Sequence, residues 1–184
     1  MRKVIAAMNM TLDGFCDHTA MSADDEIHQH YTDVLNRGDT MLYGRITYQL
    51  MESYWPELLK NPSGNKQEND FAVAMQRITK VVFSRTLKDV SWENARLATG
   101  TIEQEVQALR PLPGKDIYVG SPSLIATMTD LRLLDEIQIC VHPVIAGKGL
   151  QLFKSISDRV DLKLTRTKLF ASSGSMLFYY DMRK

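Results

Sequence analysis

Apolar and polar residues along this chain follow the periodicities of strands and helices in alternation. Short apolar runs typical of strands occupy residues 4–8, 40–43, 80–83, 116–119 and 135–142. Between most of these runs, apolar residues recur at helical spacing, as in Ile27, Tyr31, Val34 and Leu35. Helices are predicted to begin near residues 24, 47, 71, 101 and 122. This alternation predicts an α/β fold whose mostly parallel, twisted sheet carries helices on both faces.

Two segments depart from the alternation. Residues 162–170 and 175–182 are strand-like and are joined through Ser172, Ser173 and Gly174, which predicts a C-terminal antiparallel hairpin at the edge of a mixed sheet. The polar stretch 61–70 opens with a turn-forming sequence that contains a proline and a glycine, and it is predicted to be a mobile surface loop. No repeat or shift in composition marks a boundary, so we expect one domain over residues 1–184.

Composition restricts the classes of function. The 184 residues carry a formal net charge of zero, so the chain lacks the basic surface typical of nucleic-acid binding. The apolar run after Arg2 and Lys3 is too short for a signal peptide or a membrane span. Cys16 and Cys140 have no metal-binding or disulfide-framework spacing. We therefore expect a cytoplasmic protein that acts on a small molecule, without a nucleic-acid or membrane partner.

The predicted strand at 116–119 ends in a sequence suited to binding an anion. Gly120 has no side chain, so a ligand can approach the backbone closely. Ser121 fits the N-cap of the following helix, and Pro122 fits its first position. The first amides of such a helix lie at the positive end of its dipole, which favours a phosphate. A purely structural turn is the alternative.

Two other predicted strands end in similar sequences. Residues 40–43 are followed by Gly44, Arg45 and Thr47, and the planar donors of an arginine match the oxygens of a phosphate. Residues 80–83 are followed by Ser84 and Arg85. Each ending is also compatible with a capped element beside a surface arginine. Because open α/β sheets bind ligands at the carboxyl ends of their strands, the three endings together predict one ligand site.

The order of these motifs along the chain resembles that of a known family. The segments that carry the resemblance are Leu12-Asp13-Gly14, Tyr43-Gly44-Arg45-Ile46-Thr47-Tyr48, Phe83-Ser84-Arg85, Val119-Gly120-Ser121 and residues 142–149. Together they resemble the dihydrofolate reductase-like superfamily. The resemblance is closest to the C-terminal reductase domain of bifunctional riboflavin-biosynthesis deaminase–reductases, here in a stand-alone form. It covers nearly the whole chain and implies the three-layer fold of that superfamily.

The resemblance also implies a cofactor, NADPH, and the residues that bind it. These residues are Gly44, Arg45, Thr47, Ser84, Arg85, Gly120, Ser121, Ser123 and Leu124. Within this set, Ser84 and Arg85 correspond to the pair that helps hold the adenosine 2′-phosphate. Two arginines and several hydroxyls suit NADPH better than NADH, which lacks that phosphate. The implied chemistry is hydride transfer to a small molecule.

The sequence leaves several hypotheses about the substrate. A ribosylaminopyrimidine of the riboflavin pathway, 5-amino-6-(5-phosphoribosylamino)uracil, is the leading substrate, and dihydrofolate or another pteridine is the alternative. A non-catalytic nucleotide-binding or assembly module is the competing hypothesis from another class. Lys148 and Arg132 are the candidates for contacting a phosphorylated sugar chain. Family analogy predicts a homodimer.

The candidate catalytic residues are two carboxylates, Asp13 and Asp25. In dihydrofolate reductases a carboxylate near the start of the first helix holds the pterin ring, and Asp24 or Asp25 fits that place, although acids also favour an ordinary helix N-terminus. Asp13 lies in the segment that borders the nicotinamide site in the family, although it also fits a simple turn. The chain lacks the zinc deaminase signature. No metal site is expected, because His28 and His30 would point to different faces of a helix.

Overall fold

Strands and helices alternate as predicted in the computed structural model, which describes residues 1–154 and 156–182. The strands are β1 (Val4–Thr11), β2 (Gly38–Gly44), β3 (Thr79–Phe83), β4 (Ala95–Leu97), β5 (Asp116–Val119), β6 (Glu136–His142), β7 (Lys163–Phe170) and β8 (Ser175–Asp181). The helices are α1 (Asp25–Arg37), α2 (Arg45–Glu52), α3 (Trp55–Lys60), α4 (Lys66–Arg77), α5 (Ile102–Leu109) and α6 (Pro122–Asp130). No helix within the described ranges combines the length and the apolar character needed to span a membrane.

The strands form one mixed sheet in the order β4-β3-β2-β5-β1-β6-β8-β7. The first six are parallel to one another, so their carboxyl ends meet at one edge of the sheet. Strands β8 and β7 run antiparallel and complete the predicted C-terminal hairpin. Strand β1 lies at the centre, where Ala6 pairs with Val119 on one side and with Ile137 on the other.

Both faces of the sheet are covered by helices, because successive strand residues point to opposite faces. On one face, Ala6 and Leu42 belong to a buried cluster that includes Val106 of α5 and Ile125 and Met128 of α6. On the other face, Ile5 and Tyr43 belong to a cluster that includes Val34 of α1, Tyr48 of α2 and Met75 of α4. The three-layer α/β fold predicted from the sequence is therefore confirmed.

The predicted loop at 61–70 is half helix, which corrects the prediction of a long mobile segment. The Asn65 side chain accepts a hydrogen bond from the amide of Glu68 at 2.8 Å and caps α4, which begins at Lys66. The polar residues that follow form the first turn of this helix rather than a loop. The predicted helix near residue 71 thus starts five residues earlier, and the irregular segment is confined to residues 61–65.

The start of α1 agrees with the sequence pattern, whereas the helix after residue 44 does not. Asp24 is the N-cap of α1, and its carboxylate accepts from the amide of Ile27 at 2.9 Å. The helix predicted from residue 47 onward is two helices, since α2 ends at Glu52 and α3 begins at Trp55 with Pro56 in its first turn. Strand β4 was not predicted, because three residues are too few to show a periodicity.

Candidate functional site

The carboxyl ends of β2, β3 and β5 open onto a cleft of about 610 Å³, which we call the arginine cleft. Seven of the nine residues predicted to bind a cofactor line it: Gly44, Arg45, Thr47, Ser84, Arg85, Ser123 and Leu124. The parallel arrangement of the strands brings the three strand endings together, as the sequence predicted. Of the other two predicted residues, Gly120 lines neighbouring cavities, and Ser121 is buried.

Ser121 has a different role from the predicted one. It occupies the N-cap position of α6, but its side chain makes no capping hydrogen bond. Instead its buried hydroxyl oxygen accepts from the backbone amide of Gly44 at 2.8 Å, which joins the ends of β5 and β2. The first amides of α6 are consequently left without a side-chain acceptor.

The starts of α2 and α6 at the cleft differ from most other helix starts in the described chain. Gly44 at the N-cap of α2 offers no side chain, and Thr47 does not cap this helix as its sequence position allowed. By contrast, Asp24, Asn65 and Thr101 cap α1, α4 and α5 through their side chains. Uncapped amides at the positive end of a helix dipole are donors available to an anion.

The charged side chains of the arginine cleft are both arginines and both are exposed. Nη1 of Arg45 donates to Oε1 of Gln49 at 3.2 Å, and the Arg85 guanidinium has no hydrogen bond or ion pair to a described side chain. The Ser84 oxygen accepts from the amides of Thr86 and Leu87, which fixes the turn and leaves the hydroxyl proton available. No Asp or Glu is among the described residues that line this cleft, so its surface is positive.

One wall of the arginine cleft was missed by the sequence analysis. Residues 100–102, which follow β4 and end at the first residue of α5, also line the cleft. The buried carboxylate of Glu105 anchors this wall, because it accepts from the Thr99 amide at 2.6 Å and from the Arg96 guanidinium at 2.7 and 3.1 Å. These hydrogen bonds, that from Arg96 above all, lower the pKa of Glu105 to about 2.

Two cavities adjoin the arginine cleft at the end of β1. The outer cavity, of about 510 Å³, shares Ile46 and Thr47 with the cleft. The inner cavity, of about 220 Å³, shares five residues with the outer one: Met8, Asn9, Ala23, Met51 and Gly120. The cleft and the two cavities therefore form a connected space along the carboxyl edge of the sheet.

A polar cluster that the sequence did not predict lies where the two cavities meet. Oδ1 of Asn9 accepts from the Tyr31 hydroxyl at 3.0 Å and lies 3.1 Å from Nε2 of His142. Burial raises the pKa of Tyr31 well above its usual range and lowers the pKa of His142, so the phenol stays protonated and the imidazole neutral. The signal in the sequence is Asn9 itself, an amide inside an otherwise apolar strand.

The structure does not bring Asp25, a predicted catalytic residue, to either cavity. Its carboxylate accepts from Nδ2 of Asn65 at 2.7 Å, at the start of α4. Asp24 caps α1 and accepts from the Ser172 hydroxyl at 2.6 Å. Neither carboxylate is among the described residues that line the two cavities, and both lie in the first turn of α1 or at its N-cap, as an ordinary helix N-terminus would have them.

Asp13, the other predicted catalytic residue, joins two loops. It accepts from the Thr11 hydroxyl at 2.6 Å and from the amides of Ala146 and Gly147 at 3.1 and 2.7 Å. These hydrogen bonds, led by that from Thr11, lower the pKa of Asp13 to about 2. Asp13 is exposed and lines neither cavity. Its position is that of a turn carboxylate that fixes the loop after β6.

The histidine and cysteine residues are dispersed. His28 lines the inner cavity, whereas the His30 ring is buried with its Nε2 unpaired, so the two rings point apart as expected. Cys16 lines the outer cavity, and its thiol donates to the carbonyl of Leu150. Among the described side chains, no group of three or more His, Cys, Asp or Glu residues is placed to hold a metal ion.

The sheet and the connected site define the class of fold. The chain is similar in structure to dihydrofolate reductase from Enterococcus faecalis complexed with NADP(H), with a TM-score of 0.64 at 11% sequence identity. The match covers 99% of this chain and 97% of that chain. The fold is therefore dihydrofolate reductase-like, as the motif order predicted.

The family is narrower than the fold. The RibD C-terminal domain family matches residues 2–178, and the chain belongs to this family. This chain is 34% identical over 183 residues to the uncharacterized protein YyaP of Bacillus subtilis (strain 168). The aligned region covers 97% of this chain and 95% of YyaP. A diaminohydroxyphosphoribosylaminopyrimidine deaminase/5-amino-6-(5-phosphoribosylamino)uracil reductase from Thermotoga maritima has a TM-score of 0.66 at 18% identity, over 99% of this chain and 57% of that chain. The predicted resemblance to riboflavin-biosynthesis reductase domains is confirmed.

Proposed function

We propose that the protein is an NADPH-dependent reductase of a small planar heterocycle. One observation carries the proposal: two exposed arginines and two uncapped helix starts line one cleft, and this cleft continues into cavities that hold the polar cluster of Asn9, Tyr31 and His142. An anionic dinucleotide fits the arginine cleft, and the ring of a substrate fits the adjoining cavities. Membership of a reductase-like family supports the same assignment.

The residues of the arginine cleft fit NADPH by charge and by donor type. We assign Arg85 and Ser84 to the 2′-phosphate, because they combine a guanidinium with a free hydroxyl donor. Arg45 and the uncapped starts of α2 and α6, with Ser123, supply donors for the pyrophosphate. When bound, NADPH would supply the hydride.

The rest of the site orients the substrate. Reduction of a conjugated C=N, C=C or C=O bond adds one hydride and one proton to the substrate. The walls of the inner cavity are mostly apolar, so they favour a ring. Neither predicted carboxylate lies there, so Asn9 with its partners Tyr31 and His142 is the polar group that fixes the orientation of the ring.

The first experiment is a titration of the purified protein with NADPH and with NADH, followed by nicotinamide fluorescence. We expect tight binding of NADPH and much weaker binding of NADH. Equal affinity for the two would contradict our assignment of the 2′-phosphate, and binding of neither would remove the proposal. Ser53→Ala, on the surface and outside the cleft and cavities, is a control that leaves both affinities unchanged.

Substrate assays follow once NADPH binding is established. The family makes 5-amino-6-(5-phosphoribosylamino)uracil the first compound to test, and dihydrofolate or another pteridine the second. NADPH binding without oxidation by any pyrimidine, pteridine or related ring would favour the competing hypothesis of a non-catalytic nucleotide-binding module. The predicted homodimer is tested separately by light scattering.

A further inference from the structure

We propose that the inner and outer cavities bind a neutral, unphosphorylated planar ring that presents a carbonyl or imine acceptor to the side-chain amide of Asn9. The proposal rests on the proposed reductase function and narrows its substrate class. It departs from the phosphorylated substrate that the family suggests. Three features of the cavities carry it: a donor group, aromatic walls and the distribution of charge.

The donor group is Nδ2 of Asn9. Its Oδ1 is already occupied, because the Tyr31 hydroxyl donates to it and Nε2 of His142 lies 3.1 Å away. The Tyr31 hydroxyl donates to this oxygen, and the Nε2–H tautomer of the neutral His142 ring donates to it as well, so the amide is held with Oδ1 toward both side chains. The two N–H groups on Nδ2 then remain for a ligand, since Asn9 lines both cavities and has no other hydrogen bond to the described side chains. An NH₂ group selects an acceptor on the ligand.

The walls of the inner cavity favour a flat, apolar body. Tyr43, Trp55 and Phe71 line it, and the rings of Trp55 and Phe71 pack edge to face with centroids 4.6 Å apart. His28 also lines this cavity and contacts both of those rings. Aromatic rings pack well against such walls in stacked or edge-to-face geometry.

The charge around the cavities disfavours a phosphate. No Lys or Arg is among the described residues that line either cavity. The two residues predicted from sequence to contact a phosphorylated chain, Lys148 and Arg132, line neither cavity, and Arg132 donates to the carbonyl of Arg159 instead.

The same linings disfavour a cationic ring. The inner cavity has no Asp or Glu in the part of its wall that the structure describes. Among the described residues that line the outer cavity, Asp17 is the one carboxylate, and its Oδ1 accepts from the amide and the hydroxyl of Thr19 at 2.9 and 2.8 Å. In the inner cavity, a protonated amidine-type ring, which needs a carboxylate at its edge, would meet the donor group of Asn9 instead. A neutral ring whose edge carries a hydrogen-bond acceptor therefore fits the Asn9 donor best.

The donor group is tested by asking whether Asn9→Asp reverses the preference between a neutral and a protonated ring ligand. By calorimetry, we expect the wild-type protein to bind the neutral lactam 2-quinolone more tightly than protonated 2-aminoquinoline. Asn9→Asp replaces the donor by an acceptor, so the preference reverses, with a change of about ten-fold or more, or ~1.4 kcal/mol. The control is Asn36→Asp, an exposed residue at which the same charge change keeps the contact with Arg77. An unchanged preference in Asn9→Asp, or a wild-type preference for the cation, overturns the proposal.

A second variant guards against misfolding of Asn9→Asp. In Asn9→Ala the amide is removed without a new charge, and we expect 2-quinolone to lose affinity while naphthalene, which has no acceptor, keeps it. Equal losses for the two ligands would show that Asn9 acts only through packing. Circular dichroism confirms that each variant is folded.

The absence of a phosphate subsite is tested with a matched pair of ligands. We expect 5-amino-6-ribosylaminouracil to bind at least as tightly as its 5′-phosphate, and tighter binding of the phosphate would contradict the proposal. NADPH affinity is measured on the same preparations. Failure of NADPH to bind removes the reductase function, whereas normal NADPH binding with a preference for the phosphorylated ligand removes only the present inference.

Discussion

The arginine cleft and the inner cavity lie at the same edge of the sheet but are built in opposite ways. The cleft is open and positive, and each of its contributions is a local strand-to-helix or strand-to-turn sequence. The inner cavity is mostly apolar, and its polar cluster joins side chains from β1, α1 and β6. An anion can be held by local turns and exposed cations, whereas a neutral ring requires groups that only the tertiary fold brings together.

The largest effect is expected when a positive charge is removed from the arginine cleft. Arg45→Ala or Arg85→Ala is expected to weaken NADPH binding by about 1.5–3 kcal/mol, the range for charge-assisted hydrogen bonds. Binding of NADH is expected to change far less for Arg85→Ala, and ring ligands of the cavities are unaffected. The measurement is fluorescence titration, with Arg159→Ala as a surface control. Equal losses of NADPH and NADH in Arg85→Ala would show that this residue does not contact the 2′-phosphate.

The next effect concerns the packing of two glycines, Gly120 at the inner cavity and Gly44 at the arginine cleft. A Cβ on Gly120 would lie 3.1 Å from Cε1 of Tyr43 and 3.3 Å from Sδ of Met41, whereas a Cβ on Gly44 would meet Ser123 Oγ at an ordinary 3.4 Å. Gly120→Ala is therefore expected to lower the free energy of unfolding by about 1–3 kcal/mol through overpacking. Gly44→Ala is the matched control, expected within roughly 0.5 kcal/mol of wild type. Urea unfolding measures both, and a larger loss in Gly44→Ala would refute the packing difference.

A smaller effect is expected inside the polar cluster. Tyr31→Phe removes the hydroxyl that donates to Asn9 and leaves the interaction with His142. We expect a loss of about 0.5–1.5 kcal/mol in the free energy of unfolding, the usual contribution of one hydrogen bond. Binding of 2-quinolone is expected to weaken with unchanged NADPH affinity. A loss of NADPH affinity instead would mean that the cleft and the inner cavity are not energetically separate.

The last effect depends on pH and concerns the wall at residues 100–102. The pKa of Glu105 is about 2 in the folded protein, below its ordinary value of 4.5, mainly because Arg96 donates to it. The ionised carboxylate therefore stabilises the fold above pH 4.5, and this stabilisation is lost as the pH falls toward 2. Thermal unfolding of wild type and Glu105→Gln is expected to differ most near neutral pH and to converge in acid. A difference that is constant with pH would contradict this assignment.

The contrast between the two regions also explains what could be predicted from sequence. Gly44, Arg45, Ser84 and Arg85 were found because a strand end followed by a glycine, a hydroxyl or an arginine is visible within a few residues. The alternation of elements similarly predicted the parallel sheet and its antiparallel hairpin. Local periodicity determines these features, so no tertiary information was needed.

Long-range contacts determine what could not be predicted. Strand β1 is paired along its length with β6, and this register brings the chain near Asn9 to His142, which lies 133 positions away in sequence. The carboxylates Asp13 and Asp25 were assigned by analogy, whereas in the structure they accept hydrogen bonds from Gly147 and Asn65 and line neither cavity. Ser121 shows the same principle, because Gly44, a distant residue, takes the hydroxyl that the local pattern assigned to a helix cap.

The uncapped starts of α2 and α6 lower the local stability of these helices in the ligand-free protein. A side-chain cap stabilises a helix by about 1 kcal/mol, and neither helix has one at the cleft. A ligand that binds only the folded state raises the free energy of unfolding in proportion to the logarithm of its concentration. We therefore expect amide hydrogen exchange in the first turns of α2 and α6 to be fast in the free protein and to slow when an anion is bound. The lifetime of the protein in a cell would then follow the supply of the anion that it binds.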